Sequence, residues 1–455
     1  MSINGNFGLM VQIPEAVLQT FADAFVRQQA SQFVFTLNRQ LQLPGFDVSM
    51  ASLFGVQLHS PRLTLVTPDE IDLSLQVVAS GALQTRIAAL PNGPAPSQPP
   101  EIDIALVGDI TIRVRGVYIA NGDKRSLYLD LRALDVTSFA LGIDNQNISL
   151  PQPALDVLSA VVRRAAIAIL VNRVGLIPIS WSLGTTIPFL GNIGLQVNFY
   201  YKIVHSGSNR ALALCLQVMG EAVDLNAVQY ALAMPTDVGV FVDLAVIQFA
   251  LRKLEHSLEG YPVKPGSGGI VGDLIFHDAH FSVQPPYFVI DEIKVQSRTL
   301  QKVEEVVERV ICTALDPCNS WCRKVFETVI KWVQLDQLFH ASGKARPYIL
   351  NGQLRVEASD VDIDPSFPFA VLIFTGAEAL IPLGGTIALI LMVIGKILAD
   401  KTVTGIVDQQ SWGLVIDQPL EGTGLRVHAE AREIDWPSGC LALMSSVSLS
   451  RAAVT

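Results

Sequence analysis

Charged residues are scarce in this sequence, and more of them are acidic than basic. Only 16% of the 455 residues are Asp, Glu, Lys or Arg, and half are hydrophobic, whereas about a quarter charged is usual. The net charge of −10 excludes nucleic acid as a partner, because Lys and Arg contacts to phosphate dominate that binding. It also disfavours nonspecific docking on anionic membranes. A chain of this composition either buries an unusually large apolar surface or meets lipid.

Cysteine is also scarce. The five cysteines are an odd, scattered set that does not form a dense disulfide framework: Cys215, Cys312, Cys318, Cys322 and Cys440. The middle three fall in a stretch of helical spacing, which leaves a buried thiol cluster or one local disulfide, from Cys312 to Cys318 or Cys322, as alternatives. The N-terminal residues lack the basic and apolar stretches of a secretory signal. We therefore expect a cytoplasmic protein, or one exported without a classical signal peptide.

Catalytic and metal-binding motifs are missing. There is no GxSxG, no Walker A loop and no dinucleotide-binding glycine pattern. His277 and His280 would point to opposite faces of a strand, because side chains alternate along it. Asp360, Asp362 and Asp364 would share one face, which we interpret as solvated rather than as a cation site. We expect no enzyme activity, no cofactor and no metal.

What the sequence does contain is a pair of similar segments in the same order. Residues 8–13 (GLMVQI) match 239–244 (GVFVDL), and 58–65 (LHSPRLTL) match 276–283 (FHDAHFSV). Each second segment is soon followed by a proline turn. The order predicts a duplicated architecture, with chance similarity of short apolar strings as the alternative.

The spacing of apolar residues predicts helices and strands that are segregated along the chain. Helical spacing predicts helices over residues 15–42, 153–173, 243–258, 299–314, 318–340 and 377–399. Alternation of apolar and polar residues predicts strands over 54–75, 110–132, 181–219, 272–298, 349–363 and 411–448. Because strands and helices do not alternate one by one, the fold class is α+β with antiparallel sheets.

One apolar run approaches the length of a membrane span. Residues 379–395 are almost wholly apolar, yet this length is at the lower edge of what crosses a bilayer. Pro382 and two following glycines interrupt the run. A buried helix is the favoured interpretation, and a span or a helix over 379–397 that inserts peripherally into a membrane stays an alternative.

The segment 239–251 (GVFVDLAVIQFAL) resembles the start of the second barrel in the bactericidal/permeability-increasing protein family. That family belongs to the tubular lipid-binding superfamily. The resemblance implies two pseudo-symmetric barrel-like units, each a long helix wrapped in a curved antiparallel sheet, joined by a central sheet. The implied divisions are 1–175, 176–230 and 231–455. The chain lacks the disulfide of secreted relatives and the basic first barrel that engages lipopolysaccharide, so a bacterial relative of another location is the better analogue.

The implied function is non-enzymatic binding or transfer of a lipid or other apolar small molecule, with transient membrane contact. Acyl chains would lie between helix and sheet, because each buried CH₂ contributes roughly 0.8 kcal/mol without requiring a motif. The expected apolar lining is Phe21, Phe25, Leu158 and Ile169 in the first unit, and Ile247, Leu251, Phe374 and Leu391 in the second. The alternative is a structural or toxin-accessory protein that uses this scaffold to bind a protein partner, with its interior filled by side chains.

Overall fold

The computed structural model describes residues 3–37, 48–85, 101–121, 124–144, 152–181, 183–184, 197–218, 222–234, 237–258, 262–263, 272–314, 320–350, 353–363, 415–420 and 423–451. The chain forms two compact units. Unit 1 comprises Met1–Asp243, Ile349–Gln353 and Gly413–Thr455, and unit 2 comprises Leu244–Tyr348 and Leu354–Trp412.

In chain order the strands are β1 (Leu9–Pro14), β2 (Val34–Leu37), β3 (Val48–Val66), β4 (Glu70–Thr85), β5 (Glu101–Asn121), β6 (Lys124–Asp130), β7 (Asp135–Ile143), β8 (Leu176–Pro178), β9 (Leu183–Gly184), β10 (Asn198–Ser206), β11 (Asn209–Gln217), β12 (Asp237–Asp243), β13 (Pro262–Val263), β14 (Gly272–Gln284), β15 (Tyr287–Ala314), β16 (Ser320–Leu350), β17 (Gln353–Ile363), β18 (Val415–Leu420), β19 (Leu425–Asp435) and β20 (Cys440–Arg451). The α-helices are α1 (Glu15–Gln28), α2 (Gln152–Ala168) and α3 (Leu244–Leu258).

A curled, half-barrel sheet forms the larger part of unit 1. Its strands run β2-β3-β4-β5-β6-β8, with β7 paired to β5 and β9 to β6, and every pairing is antiparallel. One face is apolar, as the alternation predicted: on β4 the fully buried residues are Ile71, Leu73, Leu75, Val77 and Ala79. Helix α1 packs against β3 and β8, and α2 packs against β2, β3 and β7.

Helix α1 is shorter than the predicted 15–42. It ends at Gln28 and is followed by a 3-10 turn, Ala30–Phe33, and then by β2. Val34, Phe35 and Thr36 are β-branched or aromatic residues, which fit a pleated sheet. Val34 pairs with Gln57 of β3, so the sheet takes up a segment whose apolar spacing was also compatible with a helix. The remainder of the predicted helix, 38–42, lies outside the described residues.

The second predicted helix, 153–173, is confirmed. It corresponds to α2 and a π-helical turn, Ile169–Val174, that continues it. Gly175 ends the turn with a φ of +66°, a conformation that glycine adopts without the penalty of a side chain. The Gly175 N–H donates to the carbonyl oxygen of Leu170 at 2.8 Å.

A second sheet of unit 1 has the order β10-β11-β1-β12-β20-β19-β18. It therefore takes strands from outside the predicted central segment 176–230. Its buried core includes Phe7, Met10 and Phe241, together with Cys215 and Cys440, neither of which forms a disulfide with a described residue. Burial raises the pKa of the Cys215 thiol to about 12.

Unit 2 contains a sheet of order β13-β14-β15-β16-β17, and α3 packs against β14. The helix predicted over 243–258 is confirmed as α3. The helices predicted over 299–314 and 318–340 are wrong, because these segments are β15 and β16, paired from Phe288–Ala345 to Ala314–Ser320. Residues 303–311 (VEEVVERVI) have helical spacing, but Val and Ile fit strands, and pairing along the whole hairpin decides the outcome.

Two sequence predictions for unit 2 concern residues that are described only in part or not at all. The register places Cys312 opposite Cys322, which is one of the two pairings left open by the sequence, while Cys318 lies outside the described residues. The predicted helix 377–399, with its apolar run at 379–397, also lies outside them.

Gln19 of helix α1 makes two hydrogen bonds to the backbone of β3. The Gln19 amide nitrogen donates to the carbonyl oxygen of Pro61 at 2.6 Å, and its oxygen accepts from the Leu63 N–H at 2.7 Å. The register of β3 and β4 shifts between His59 and Arg62. Gln19 thus satisfies backbone groups at a β-bulge, where the ladder is disrupted.

We expect Gln19→Leu to lower the free energy of unfolding by about 2 kcal/mol, because it strands a buried donor and a buried acceptor. Urea unfolding of the full chain measures this. Thr20→Ala is the matched control on the exposed side of α1, and it should change stability by less than about 0.5 kcal/mol. Equal effects of the two substitutions would contradict the assigned role of Gln19.

Candidate functional site

An open groove lies between α2 and β7 in unit 1, and we call it the α2–β7 groove. Its volume is about 360 Å³, and it is lined by Val136, Thr137, Ser138 and Phe139 of β7 and by Ser159, Ala160 and Arg163 of α2. The lining combines apolar groups, hydroxyls and one guanidinium. This volume is at the lower end of the roughly 300–1,000 Å³ of small-molecule sites.

The groove exists because the apolar side of β7 is incompletely covered. In the described chain, β7 is paired only to β5. Its residues Val136, Phe139, Leu141 and Ile143 lie opposite β5 residues on the apolar face of the sheet, yet each is half-buried. The corresponding row on β4 is fully buried. The apolar face is therefore closed along β4 and partly open at β7.

Gly108 permits β7 to lie close to β5. It pairs with Leu141 in the register of the two strands. A Cβ at position 108 would collide with the carbonyl oxygen of Ala140, whereas a Cβ at Gly142 would make an ordinary contact of 3.9 Å with the carbonyl oxygen of Val107. The position of this wall of the groove thus depends on the missing side chain at Gly108.

The helical wall of the groove is formed by small residues and a cation. Ser159 is half-buried, and Ala160 and Arg163 are exposed, while Leu158 and Val162 point into the unit and are fully buried. Helical periodicity separates these two sets, because residues three or four positions apart share a face. The same helix therefore closes the interior with one face and borders the groove with another.

None of the described residues that line the groove carries a carboxylate. The nearest acidic residue before Arg163 on α2 is Asp156, and it accepts a hydrogen bond from Gln152 at 2.8 Å. Arg113 is hydrogen-bonded to Asp72 at 2.8 Å, and this bond together with the charges of Asp72, Glu70 and Asp135 raises the pKa of its guanidinium. Asp156, Asp72 and Glu70 thus have partners that do not line the groove.

The residues predicted to line a cavity in unit 1 are buried but lie outside the groove lining. Phe21, Leu158 and Ile169 have no exposed surface, and Phe25 is 5% exposed. The Phe25 ring meets the Phe33 ring edge-on, with 6.2 Å between centroids. The π-helical turn that carries Ile169 packs against the 3-10 turn that carries Phe33. The structure thus brings the ends of α1 and α2 together, with other protein atoms covering these side chains.

The structure describes two of the four residues predicted to line a cavity in unit 2. Ile247 and Leu251 lie on α3, and each is 1% exposed. Phe374 and Leu391 lie outside the described residues. The lining in both units stays a prediction. Sequence reasoning did not identify Phe139, Ser159 or Arg163, because β7 was not predicted as a separate edge strand.

The histidines and aspartates that the sequence analysis considered as metal ligands are exposed or paired where they are described. His277 and His280 are exposed, and His280 lies 3.2 Å from Asp278. Asp360 pairs with Lys344 at 2.8 Å, and Asp364 is outside the described residues. Within the described ranges, no group of three or more His, Cys, Asp or Glu is placed to hold a metal ion. None of the described helices has the length and apolar content needed to cross a membrane.

Comparison with solved structures gives alignments over most of the chain, with TM-scores below 0.5. A crystal structure of lipopolysaccharide binding protein aligns over 98% of this chain and 100% of its own, with 11% identity and a TM-score of 0.40. P47 from Clostridium botulinum A2 aligns over 84% and 88%, with 9% identity and a TM-score of 0.34. P47 from Clostridium botulinum E1 aligns over 97% and 99%, with 9% identity and a TM-score of 0.35.

The sequence resembles the bactericidal/permeability-increasing protein family, and lipopolysaccharide binding protein is among the solved structures that align with the chain, at a TM-score below 0.5. At these values the similarity extends to no ligand. No family model matches the chain, and no curated protein matches its sequence significantly.

Proposed function

We propose that the chain binds an acyl-chain lipid in unit 1, between the helices and the apolar face of the curled sheet. The lipid enters at the α2–β7 groove. The observation that carries the proposal is the half-buried apolar row of β7, Val136, Phe139, Leu141 and Ile143, beside an open groove. An apolar row at a partly open side of such a sheet offers an acyl chain a continuous surface from the solvent inward.

Entry of an acyl chain requires α2 to move away from β7, which uncovers buried residues of the helix, and burial of the acyl methylenes offsets this cost. Burying about a dozen methylenes contributes on the order of 10 kcal/mol. Uncovering one large apolar side chain costs roughly 1.5–3 kcal/mol, and the β7 side chains are already partly uncovered. Phe21, Phe25, Leu158 and Ile169 would then border the bound chain, which replaces the protein atoms that cover them in the structure.

We also propose that the second part of the chain repeats the plan of the first, with the divisions 1–175, 176–230 and 231–455. Two observations support this. Strands β1 and β12 run directly into α1 and α3. In unit 2 the Gln248 amide nitrogen donates to the carbonyl oxygen of Phe281 at 3.0 Å, and the Phe281 N–H donates to Glu255 at 2.6 Å. Phe281 matches Leu63 in the aligned segments. A helix glutamine therefore bonds to the backbone at the same strand position in both, to the N–H of Leu63 and to the carbonyl oxygen of Phe281. Ile247, Leu251, Phe374 and Leu391 would line the second site.

Native mass spectrometry of the gently purified chain, followed by titration with a fluorescent fatty acid, tests the proposed function. We expect co-purifying lipid or saturable uptake at micromolar ligand, which corresponds to about −8 kcal/mol. If the protein has no co-purifying lipid and also takes up no fatty acid, lipid binding is contradicted. The alternative function, a scaffold that binds a protein partner, would then be favoured.

A further inference from the structure

We infer that the α2–β7 groove holds the anionic headgroup of the bound lipid, with Arg163 pairing to its oxygens and the hydroxyl of Ser159 donating to them. The inference rests on the proposed function and names the ligand class: an acyl chain that ends in a carboxylate or phosphate. The acyl chain passes Phe139 and continues inward.

The charge of the groove favours an anion. The chain carries a net charge of −10, yet among the described residues the groove is lined by a guanidinium and by no carboxylate. Arg163 makes no ion pair or hydrogen bond with any residue that the structure describes. A guanidinium has five donors in a planar fork that matches carboxylate and phosphate oxygens. An oxyanion is the ligand that such an unpaired group binds best.

One hydroxyl completes the polar end of the groove. Ser159 lies four residues before Arg163 on α2, so the two share a helical face. Thr137 is engaged elsewhere, because its hydroxyl donates to the carbonyl oxygen of Thr111 at 3.1 Å. Ser138 pairs with Thr111 of β5, so its side chain lies on the outer face of the sheet, because side chains alternate along a strand. The Ser159 hydroxyl can therefore reach an oxyanion that Arg163 holds.

The apolar residues of the same groove distinguish a lipid headgroup from free phosphate. The groove is lined by the apolar residues Val136, Phe139 and Ala160 together with the polar groups. A free phosphate ion makes no favourable contact with apolar side chains, whereas an acyl chain does. A volume of about 360 Å³ fits a headgroup and the first part of a chain. The remainder of the chain has to lie along the apolar face of the sheet.

The experiment compares a fatty acid with the fatty alcohol of the same chain length, each binding to the full chain. We expect the acid to bind about fivefold more tightly, as for an exposed ion pair, and the preference to fall with added salt. In Arg163→Gln the ratio of the two affinities should fall to about one. Arg164→Gln, the neighbouring exposed arginine outside the groove lining, should retain the preference.

Each outcome has one meaning. If acid and alcohol bind equally to the wild type, or if Arg163→Gln retains the preference, the headgroup site is refuted while the proposed function stands. If neither ligand binds, the proposed function fails and the inference fails with it. If millimolar inorganic phosphate displaces neither ligand, yet the preference depends on Arg163, the lipid source is supported. Binding of phosphate alone, without uptake of either chain, would overturn it.

Discussion

We expect Ala160→Trp to lower fatty-acid uptake by at least about tenfold, a change of 1.4 kcal/mol in binding free energy. Ala160 is exposed and lines the α2–β7 groove, so an indole at this position occupies the space through which the acyl chain has to pass. Fluorescent fatty-acid titration of the full chain measures the loss. Because position 160 is exposed, the fold should be retained, which circular dichroism checks.

Arg164→Trp is the control for this substitution. Arg164 is also exposed on α2 but does not line the groove, so uptake should stay within about twofold, which is less than 0.5 kcal/mol. Undiminished uptake by Ala160→Trp would show that lipid enters elsewhere. Equal losses in both variants would point to a general effect of an added surface indole.

We expect Gly108→Ala to lower the free energy of unfolding by about 1–3 kcal/mol, as overpacking does. The added methyl group would collide with the Ala140 carbonyl oxygen, so β7 has to move away from β5. Hydrogen exchange of the β7 amides should accelerate, because their pairing with β5 is weakened. Urea unfolding and peptide-resolved hydrogen exchange provide the two measurements.

Gly142→Ala is the matched control in the facing strand. Its added Cβ would lie 3.9 Å from the carbonyl oxygen of Val107, an ordinary contact. We expect a change in stability below about 0.5 kcal/mol and unchanged exchange in β7. If the two alanine variants were equally stable, the close approach at Gly108 would not set the position of β7.

The spacing of apolar residues predicted correctly those strands and helices that bury one face along their length. The alternation of Ile110, Ile112 and Val114 is found in β5, with these residues buried and their neighbours partly exposed. The stripe through Leu158 and Val162 is the buried face of α2. In both cases one face of the element meets the apolar interior, and burial of that face produces the periodicity that was visible in the sequence.

Elements decided by pairing with distant residues could not be predicted in this way. The run 303–311 has helical spacing, but β15 pairs with β16 along its length. The end of α1 at Gln28 depends on pairing of Val34 with Gln57. The groove depends on β7 being unpaired on its outer side in the described chain and on the close approach at Gly108. None of these conditions leaves a local pattern.

Photo-crosslinking with a fatty acid that carries a diazirine in the middle of its chain tests the central claim most directly. After irradiation of the full chain, peptide mass spectrometry locates the labelled residues. Lipid binding between helix and sheet in unit 1 places the label on Phe139 of β7 and on the inner faces of α1 and α2, at Phe21 and Leu158, and Ala160→Trp should suppress it. Labelling confined to exposed residues outside this region, or labelling that Ala160→Trp leaves unchanged, would contradict the account.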